Sequence, residues 1–383
     1  MTRTRSSNSR LFVITALLLG GFLSPAAKAF AEPGAEPDVS TANSQAAPRN
    51  VNHNVKEEIR LANDYLTGHG VAQDFGESAY WFEKAAETGD AQAQEQIGYF
   101  YEAGIGVRRD LERAAHWYEL AASSGSVTAN VSLGTLYFWG TGVRKDRELA
   151  LQLFSRAAAK GSGLAACYLG DMYYLGAGVP QDKAAGEKWY EKGAELHNAQ
   201  AEFDLGLLFF DREGHAHDPR RAAALLRESA AAGYVPAMYS LGALLVRNPN
   251  LANSADEAMV LLNDSAKAGH WQSSLLLGVL AREGMGVPLD SSAAYYHFRV
   301  AALQGGDAAV KMLGADMRRL STILAPDERA SLDQKAENWF GQHRNMLEFV
   351  YKEGEGRAKY SEYALAVPEN GTHTVQMLPN LAD

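Results

Sequence analysis

The stretch LGTLYFWGTGVRKDRELALQLFSRAAAKGS, residues 133–162, decides the fold because variants of it return along the chain every 36 residues. Glycine closes successive units at the same step, at Gly89, Gly125, Gly161, Gly233, Gly269 and Gly305. His197 stands where the series would place another glycine. Aspartate follows the same interval, at Asp74, Asp110, Asp146, Asp182, Asp218 and Asp290. A fixed period of this length predicts stacked supersecondary units rather than one closed globular core.

Each unit is predicted to be a helix hairpin. In residues 90–125, Asp90 can cap a helix that carries Ile97 and Phe100 on one face. Gly104 ends that helix, because glycine accepts the left-handed conformation of a C-terminal cap. Asp110 can then cap a second helix, which runs to Gly125. We therefore expect an all-α solenoid of about seven 36-residue hairpins.

A glycine recurs at the same step from Gly98 to Gly314, directly after an apolar residue, as in Leu133-Gly134 and Leu169-Gly170. Glycine in a helix interior costs about 1 kcal/mol relative to alanine. Its return at each repeat predicts that the missing side chain lets the paired second helix approach closely.

The first residues read as an export signal of the Sec type. Arg3, Arg5 and Arg10 precede an apolar run from residue 11 to 23, and small residues around Ala29 and Ala31 suit cleavage. Such a run is short for a membrane span, although an uncleaved anchor is the alternative. We assign residues 1–31 to a signal peptide and the Pro- and Ala-rich residues 32–52 to a disordered linker.

The net charge of the chain argues against two classes of binding partner. The net charge is −10, and it becomes −14 once the four basic residues of the signal segment are removed. An acidic exported protein is a poor ligand for nucleic acid or an anionic membrane, and we expect neither as a partner. The single cysteine, Cys167, cannot form an internal disulfide.

Catalytic motifs are missing from the sequence. None of the ten histidines is followed by glutamate, and no serine lies in a nucleophile-elbow or Ser-x-x-Lys pattern. The Gly-x-Gly pairs fall between helices, so they indicate turns rather than phosphate loops. One loop, residues 211–218, holds His215 and His217 beside carboxylates. A metal site in this loop is the alternative to an ordinary surface loop. We expect no enzyme activity, no cofactor and no resident metal.

The stretch quoted above closely resembles the Sel1-like repeat, a relative of the tetratricopeptide repeat, and the resemblance extends over about residues 56–312. It implies a right-handed α-solenoid that makes protein–protein contacts. Many bacterial members of that family are exported adaptors or regulators of envelope complexes. Some secreted members carry a cysteine pair in each repeat, and this chain does not.

The pattern changes after Leu313-Gly314. Pro326 starts another helix, with Leu332, Ala336 and Trp339 on one side, which can close the apolar end of a solenoid. We therefore place the solenoid and its closing helix at residues 53–342. Residues 343–383 form a C-terminal tail to which the sequence assigns no structure.

The first helices also suggest a candidate groove. In each first helix we call the apolar residue before the glycine position 0, for example Leu133. Positions −2, +2 and +5 point away from position 0 and yet are often aromatic. We predict that they line a partner-binding groove, with contact to the adjoining repeat as the alternative. The groove residues are Tyr99, Phe138, Asp171, Tyr174, Phe203, Phe210 and Tyr239.

These observations predict an exported scaffold or adaptor, periplasmic or secreted, that binds protein partners of the cell envelope and assembles or regulates a complex there. Two alternatives stay open. One is a binder of glycan or small molecules along the aromatic groove, and the other is an envelope hydrolase with its site in the tail.

Overall fold

The computed structural model describes residues 54–210, 218–251 and 254–352. The predicted signal peptide, the linker up to residue 52, the His215/His217 loop and the tail beyond residue 352 lie outside the described residues. The described chain is helical and contains no strand, so the expected all-α solenoid of helix hairpins is confirmed.

The helices come in pairs along the chain. They are α1 Val55–Thr67, α2 Phe75–Glu87, α3 Ala91–Ala103, α4 Leu111–Ser123, α5 Val127–Trp139, α6 Arg147–Ala159, α7 Gly163–Leu175, α8 Lys183–Glu195, α9 Ala199–Phe210, α10 Pro219–Ala231, α11 Val235–Arg247, α12 Ser254–Lys267, α13 Trp271–Glu283, α14 Ser291–Ile323 and α15 Pro326–Lys352. Odd-numbered helices up to α13 are the first helices of the repeats, and even-numbered helices up to α12 are the second helices.

The chain divides into two compact units. One ends at Leu196 and contains α1 to α8, and the other begins at His197 and contains α9 to α15. Within each unit every helix packs against the helices before and after it in the sequence.

The helix ends follow the sequence signals. The side chain of Asp110 accepts hydrogen bonds from the backbone N–H groups of Glu112 and Arg113, and the other in-phase aspartates cap their helices in the same way. Gly104 closes α3 in the left-handed conformation, with φ +72°. His197 has φ 54°, so it adopts the conformation of the glycines whose place it takes.

The glycine inside the first helices α3 to α13 has the predicted packing role. A Cβ added at Gly134 would lie 2.7 Å from the ring of Phe154, and one at Gly170 would lie 2.5 Å from the ring of Tyr190. The same offset of 20 residues joins Gly98 to Tyr118. The side chain on the second helix therefore occupies the volume that the glycine leaves empty.

A second glycine, in the turns of the hairpins α3–α4 and α5–α6, brings neighbouring repeats together. A Cβ at Gly106 would lie 1.9 Å from the carbonyl oxygen of Phe75, at the start of the preceding second helix. At the next junction, a Cβ on Gly142 would lie 2.3 Å from the Cβ of Leu111. These turns permit close stacking of one hairpin on the previous one.

The first helix differs from all later first helices on its outer side. In α1, Arg60 bridges Glu57 and Asp64. The position of Asp64 is taken by Phe100 in α3 and by Leu136 in α5, both buried. A charged side chain at this point gives the first repeat the polar outer face that a terminal repeat requires.

The end of the array departs from the predicted boundaries in two places. Gly305, taken as the end of a unit, lies inside the helical span of α14, and the chain bends instead at Gly306, with φ 54° and ψ −143°. The closing helix α15 begins at Pro326 as expected but runs to Lys352, so the boundary predicted at residue 342 falls within it. Its Ala336 is fully buried, and Leu332 packs against the same cluster as Leu313 and Leu320.

Among the helices that the structure describes, none has a stretch long and apolar enough to span a bilayer.

Candidate interaction surface

The structure buries most of the side chains predicted to line the groove. Exposed fractions are between 1% and 6% for five of them, Phe138, Asp171, Tyr174, Phe203 and Tyr239. Tyr99 and Phe210 are half-buried. The burial and the contacts described below give most of the seven a packing role, and a partner-binding role for them stays a prediction.

Residues at position −2 contact the next repeat. The ring of Phe203 lies 5.2 Å from that of Tyr234, and the ring of Tyr239 lies 4.7 Å from that of His270. In each pair the second residue immediately precedes the first helix of the following hairpin. Adjoining-repeat contact, the alternative that the sequence left open, therefore accounts for the apolar character of this position.

The part of α14 after Gly306 continues the register of the first helices, with Leu313 at position 0, and we call it the last repeat. Its position −2 is Lys311 and its position +5 is Arg318, and both are exposed. Earlier repeats place buried aromatic residues there, such as Tyr239 and Tyr174. A switch from aromatic to charged residues where no further repeat follows indicates that positions −2 and +5 face the next repeat.

Position +5 also contacts cations. The guanidinium of Arg147 lies 5.1 Å from the ring centre of Phe138, and the ammonium of Lys183 lies 5.4 Å from that of Tyr174. Both cations belong to the second helix of the same hairpin. The guanidinium of Arg247, which belongs to the following repeat, lies 5.3 Å from the ring centre of Phe210.

Asp171, at position +2, is a buried acid with a specific partner. The hydroxyl of Tyr190 donates a 2.6 Å hydrogen bond to its Oδ1. Burial raises the pKa of the Asp171 carboxyl to about 7, and the hydrogen bond from Tyr190 acts in the opposite direction. This carboxylate belongs to the interior of its hairpin.

The exposed side of the first helices lies at positions −5, −1, +2 and +6, which share an arc of about 60°. We call this surface of α3, α5 and α7 the neutral face. Its exposed and half-buried side chains are Gln92, Gln96, Tyr99, Ala103, Thr128, Ser132, Trp139, Leu164 and Leu175, and the other three residues at these positions are buried. The centre of the groove predicted from the sequence, at positions −2, +2 and +5, lies about 60° from the centre of the neutral face, and only position +2 is common to both.

The neutral face carries no exposed charge. The helices α3, α5 and α7, all fully described, contain no lysine or arginine, and their three acids are Glu95, Glu102 and Asp171. Glu95 accepts a 2.6 Å hydrogen bond from Ser126, and Glu102 accepts one of 2.6 Å from Tyr118. Each acid is thus directed to a hydroxyl group inside the fold, as Asp171 is.

The second helices of the same unit have the opposite character. Each of α2, α4, α6 and α8 carries three to six charged residues. Some of them pair between repeats, as Arg113 does with Glu83 at 2.6 Å. Charge is therefore segregated to one side of this unit, while the other side presents amides, hydroxyls, aromatic rings and aliphatic groups.

The sequence offered two further candidates, a metal site and Cys167. No cluster of three metal-ligating side chains occurs in the residues that the structure describes, and the His215/His217 loop lies outside them. Cys167 is fully buried, and the sequence holds no second cysteine with which it could form an internal disulfide.

The repeat can be compared with known families. The model of the Sel1 repeat matches residues 58–90, 91–126, 127–162, 163–198, 199–234 and 272–306, which together make up just over half of the chain. The chain belongs to the Sel1 repeat family. The hairpin α11–α12 falls in the interval that the Sel1 model does not match, and its turn holds Asn248-Pro249-Asn250 in place of the usual glycines.

Solved Sel1 repeat proteins are similar to this one. A Sel1 repeat protein from Oxalobacter formigenes is 31% identical, with a TM-score of 0.52 over 56% of this chain and 88% of its own. The protective antigen c5321 of uropathogenic Escherichia coli, which has the SLR fold, is 22% identical, with a TM-score of 0.43 over 79% of this chain and 72% of its own. No curated protein sequence matches this chain.

Proposed function

We propose that this Sel1 repeat protein is an exported interaction scaffold or adaptor, which binds a protein of the cell envelope on its neutral face and assembles or regulates a complex there. Sel1 repeats in general mediate protein–protein interaction. The charged start, the apolar run and the small residues before Glu32 support export. We propose no catalytic role for the chain.

The proposed binding role rests on one observation, which is the lack of charge on the neutral face. The cores of protein interfaces are depleted in Lys, Glu and Asp and enriched in aromatic residues. In a chain in which 21% of residues are charged, three successive first helices contain no lysine or arginine, and each of their three acids accepts a hydrogen bond from a hydroxyl group. Tyr99 and Trp139 contribute aromatic area to the same surface.

Partner capture with paired variants tests the proposal. Thr128 is exposed on the neutral face, and His116 is exposed on the second helix α4 of the same unit. The mature protein, tagged at its C-terminus and expressed in its host, should recover a partner as the wild type and as His116→Arg. Thr128→Arg should lose it, because the partner would have to cover an unpaired charge.

Both variants should melt at the wild-type temperature, because surface substitutions of this kind change stability by about 0.5 kcal/mol or less. Recovery of the same partner by Thr128→Arg at wild-type yield would contradict a binding role for the neutral face.

A further inference from the structure

We propose that a basic patch on the turns of two adjacent repeats binds a short acidic segment of a protein partner. The basic patch consists of Arg108 and Arg109, between α3 and α4, and of Arg144 and Lys145, between α5 and α6. It is made of other residues than the neutral face, and the inference does not rest on the binding role proposed for that face.

Paired cations are confined to these two turns. Each pair stands directly before the aspartate that caps a second helix, Asp110 or Asp146. In the other turns of the repeat array, the same two positions hold neither lysine nor arginine, as in Ala72-Gln73 and Pro180-Gln181. The repeat itself therefore does not require charge at these positions.

The structural role of the position before the aspartate is also filled by a neutral residue. The Nε of Arg109 donates a 2.9 Å hydrogen bond to the backbone carbonyl of Glu102, seven residues earlier. Gln73 donates the same bond to the carbonyl of Leu66 at 2.8 Å, and Gln181 does so in its own turn. A guanidinium held through Nε keeps its two terminal nitrogens as donors for another molecule. The positive charge of Arg109 thus exceeds what the turn needs.

Packing brings the two pairs to one edge of their unit. A Cβ on Gly142 would lie 2.3 Å from the Cβ of Leu111, so the second turn lies against the start of α4. Arg109 is two residues before Leu111, and Arg144 is two residues after Gly142. Since a chain extends at most about 3.6 Å per residue, each of these cations has its Cα within about 7 Å of that contact. The two pairs therefore form one patch.

No ion pair joins the basic patch to a carboxylate among the residues that the structure describes. All four side chains are exposed. Asp110 and Asp146 accept hydrogen bonds from backbone N–H groups as helix caps. Burial raises the pKa of Glu102 and the charge of Arg109 opposes this, but the carboxylate itself accepts its hydrogen bond from Tyr118. The charge of the patch is thus available to a partner.

The surroundings of the patch favour a short acidic stretch of polypeptide over a long polyanion. Three of the four cations are arginines, whose guanidinium groups bind carboxylates through two parallel hydrogen bonds. Glu112 and Glu148 are exposed close by, and the turns before and after these two contain no lysine or arginine. A phosphate polymer or an anionic membrane would extend beyond the patch and meet these carboxylates, on a chain with a net charge of −10. A segment with a few acidic residues can end where the patch ends.

Selection from a displayed library of random peptides tests the inference. The mature protein is immobilised as the wild type and as the double variant Arg109→Gln/Lys145→Gln, which places at both positions the residue found at Gln73 and Gln181. Peptides enriched by the wild type and not by this variant should contain neighbouring Asp or Glu residues. Their affinity should fall more than about tenfold between about 0.01 M and about 1 M salt, as the Debye length shortens from about 30 Å to about 3 Å.

A charge-matched variant provides the control. Arg156→Gln/Lys188→Gln removes two exposed cations from α6 and α8 of the same unit, and so has the same net charge. It should bind the acidic peptides like the wild type, whereas Arg109→Gln/Lys145→Gln should bind them about fivefold more weakly or worse. Both double variants should melt near the wild-type temperature, because all four changes are at exposed positions.

Two results would overturn the inference: equal binding of acidic peptides by the two double variants, or no acidic peptides among those that the wild type enriches. Polyphosphate or phosphatidylglycerol vesicles serve as further probes. If either bound more tightly than the acidic peptides and was released by Arg109→Gln/Lys145→Gln, the patch would belong to a polyanion or a membrane instead. None of these results depends on Thr128→Arg, so the proposed function is judged separately.

Discussion

The ring of Tyr190 lies against Gly170, and its hydroxyl reaches the neighbouring residue, Asp171, at 2.6 Å. The ring of Tyr190 packs in the space beside Gly170, and its hydroxyl is held by the carboxylate of the next residue, so both ends of this side chain are fixed. The same place over a first-helix glycine is taken by Tyr118, Phe154 and Phe298 in other hairpins. In these four repeats the contact joins the first helix closely to the second.

Gly170→Ala should destabilise the protein even though alanine is the better helix former. The new Cβ would lie 2.5 Å from the Tyr190 ring, and that ring cannot move without losing its hydrogen bond to Asp171. Overpacking of this kind costs about 1–3 kcal/mol, against about 1 kcal/mol gained in helix propensity. Thermal unfolding should show a lower melting temperature.

Gly341→Ala provides the control for that substitution. Gly341 is also helical, in α15, but nothing lies within 4 Å of its added Cβ. The change should raise stability by about 0.5–1 kcal/mol. If Gly170→Ala also raised the melting temperature, the proposed close approach of Tyr190 would be wrong.

Stability should depend on the pH through Asp171. Its folded-state pKa is raised by burial to about 7, from an ordinary value near 4. Between these values the unfolded chain has lost a proton that the folded chain keeps, so the free energy of unfolding should fall as the pH rises from about 4 to about 7. Denaturant titrations across this range measure the slope.

Two variants distinguish the effect of the Asp171 carboxyl group on the pH dependence from that of its hydrogen bond with Tyr190. Asp171→Asn keeps an acceptor for Tyr190 and removes the titration, so the slope should flatten. Tyr190→Phe removes the hydrogen bond that lowers the pKa, so the loss of stability should extend to higher pH. An unchanged slope in Asp171→Asn would show that other groups cause the pH dependence.

The features that could be predicted from the sequence are those that depend on local conformation. The aspartates at the helix starts and the glycines at the helix ends act within a few residues, and the structure has both kinds of cap where the period places them. The glycine inside the first helix was also predictable, because its cost in propensity requires a reason in packing.

Which side of each first helix is covered was harder to predict, because it depends on how that helix is rotated against the next hairpin. A helical wheel gives the side opposite to position 0, but the following repeat covers part of that side. Only a residue pair such as Tyr239 and His270, 31 positions apart, reveals which part is covered. The change to Lys311 and Arg318 in the last repeat was the available signal.

His197→Gly should stabilise the protein. His197 is the non-glycine residue with positive φ among those described, and side chains other than glycine lose about 1 kcal/mol or more in this conformation. We expect a gain of about 0.5–1 kcal/mol in the free energy of unfolding. The converse change, Gly161→Ala, meets no neighbour within 4 Å and has φ +88°, so it should lose a similar amount through conformation alone. Equal stability of His197→Gly and the wild type would exclude strain at residue 197.

If the signal peptide is cleaved on export, the mature protein has a defined N-terminus. The small residues at positions 27–31 suit cleavage after Ala29 or after Ala31. N-terminal sequencing of the protein purified from its host should therefore begin at Phe30 or Glu32. Replacing Leu17 and Leu18 in the apolar run by arginine should leave the protein unprocessed inside the cell. A wild-type protein that still begins at Met1 would refute cleavage and leave the uncleaved anchor.

Tyr239→Ala distinguishes packing between repeats from partner binding at position −2. The side chain is 3% exposed, and its ring lies against His270, so its truncation should cost about 3 kcal/mol or more and lower the melting temperature. Lys311→Ala is the matched change at the same position of the last repeat, where the side chain is exposed, and it should cost about 0.5 kcal/mol or less. Partner capture by Tyr239→Ala, measured well below its melting temperature, should remain intact. A variant that kept the wild-type melting temperature and lost the partner would instead place Tyr239 in a binding groove, as its aromatic character first suggested.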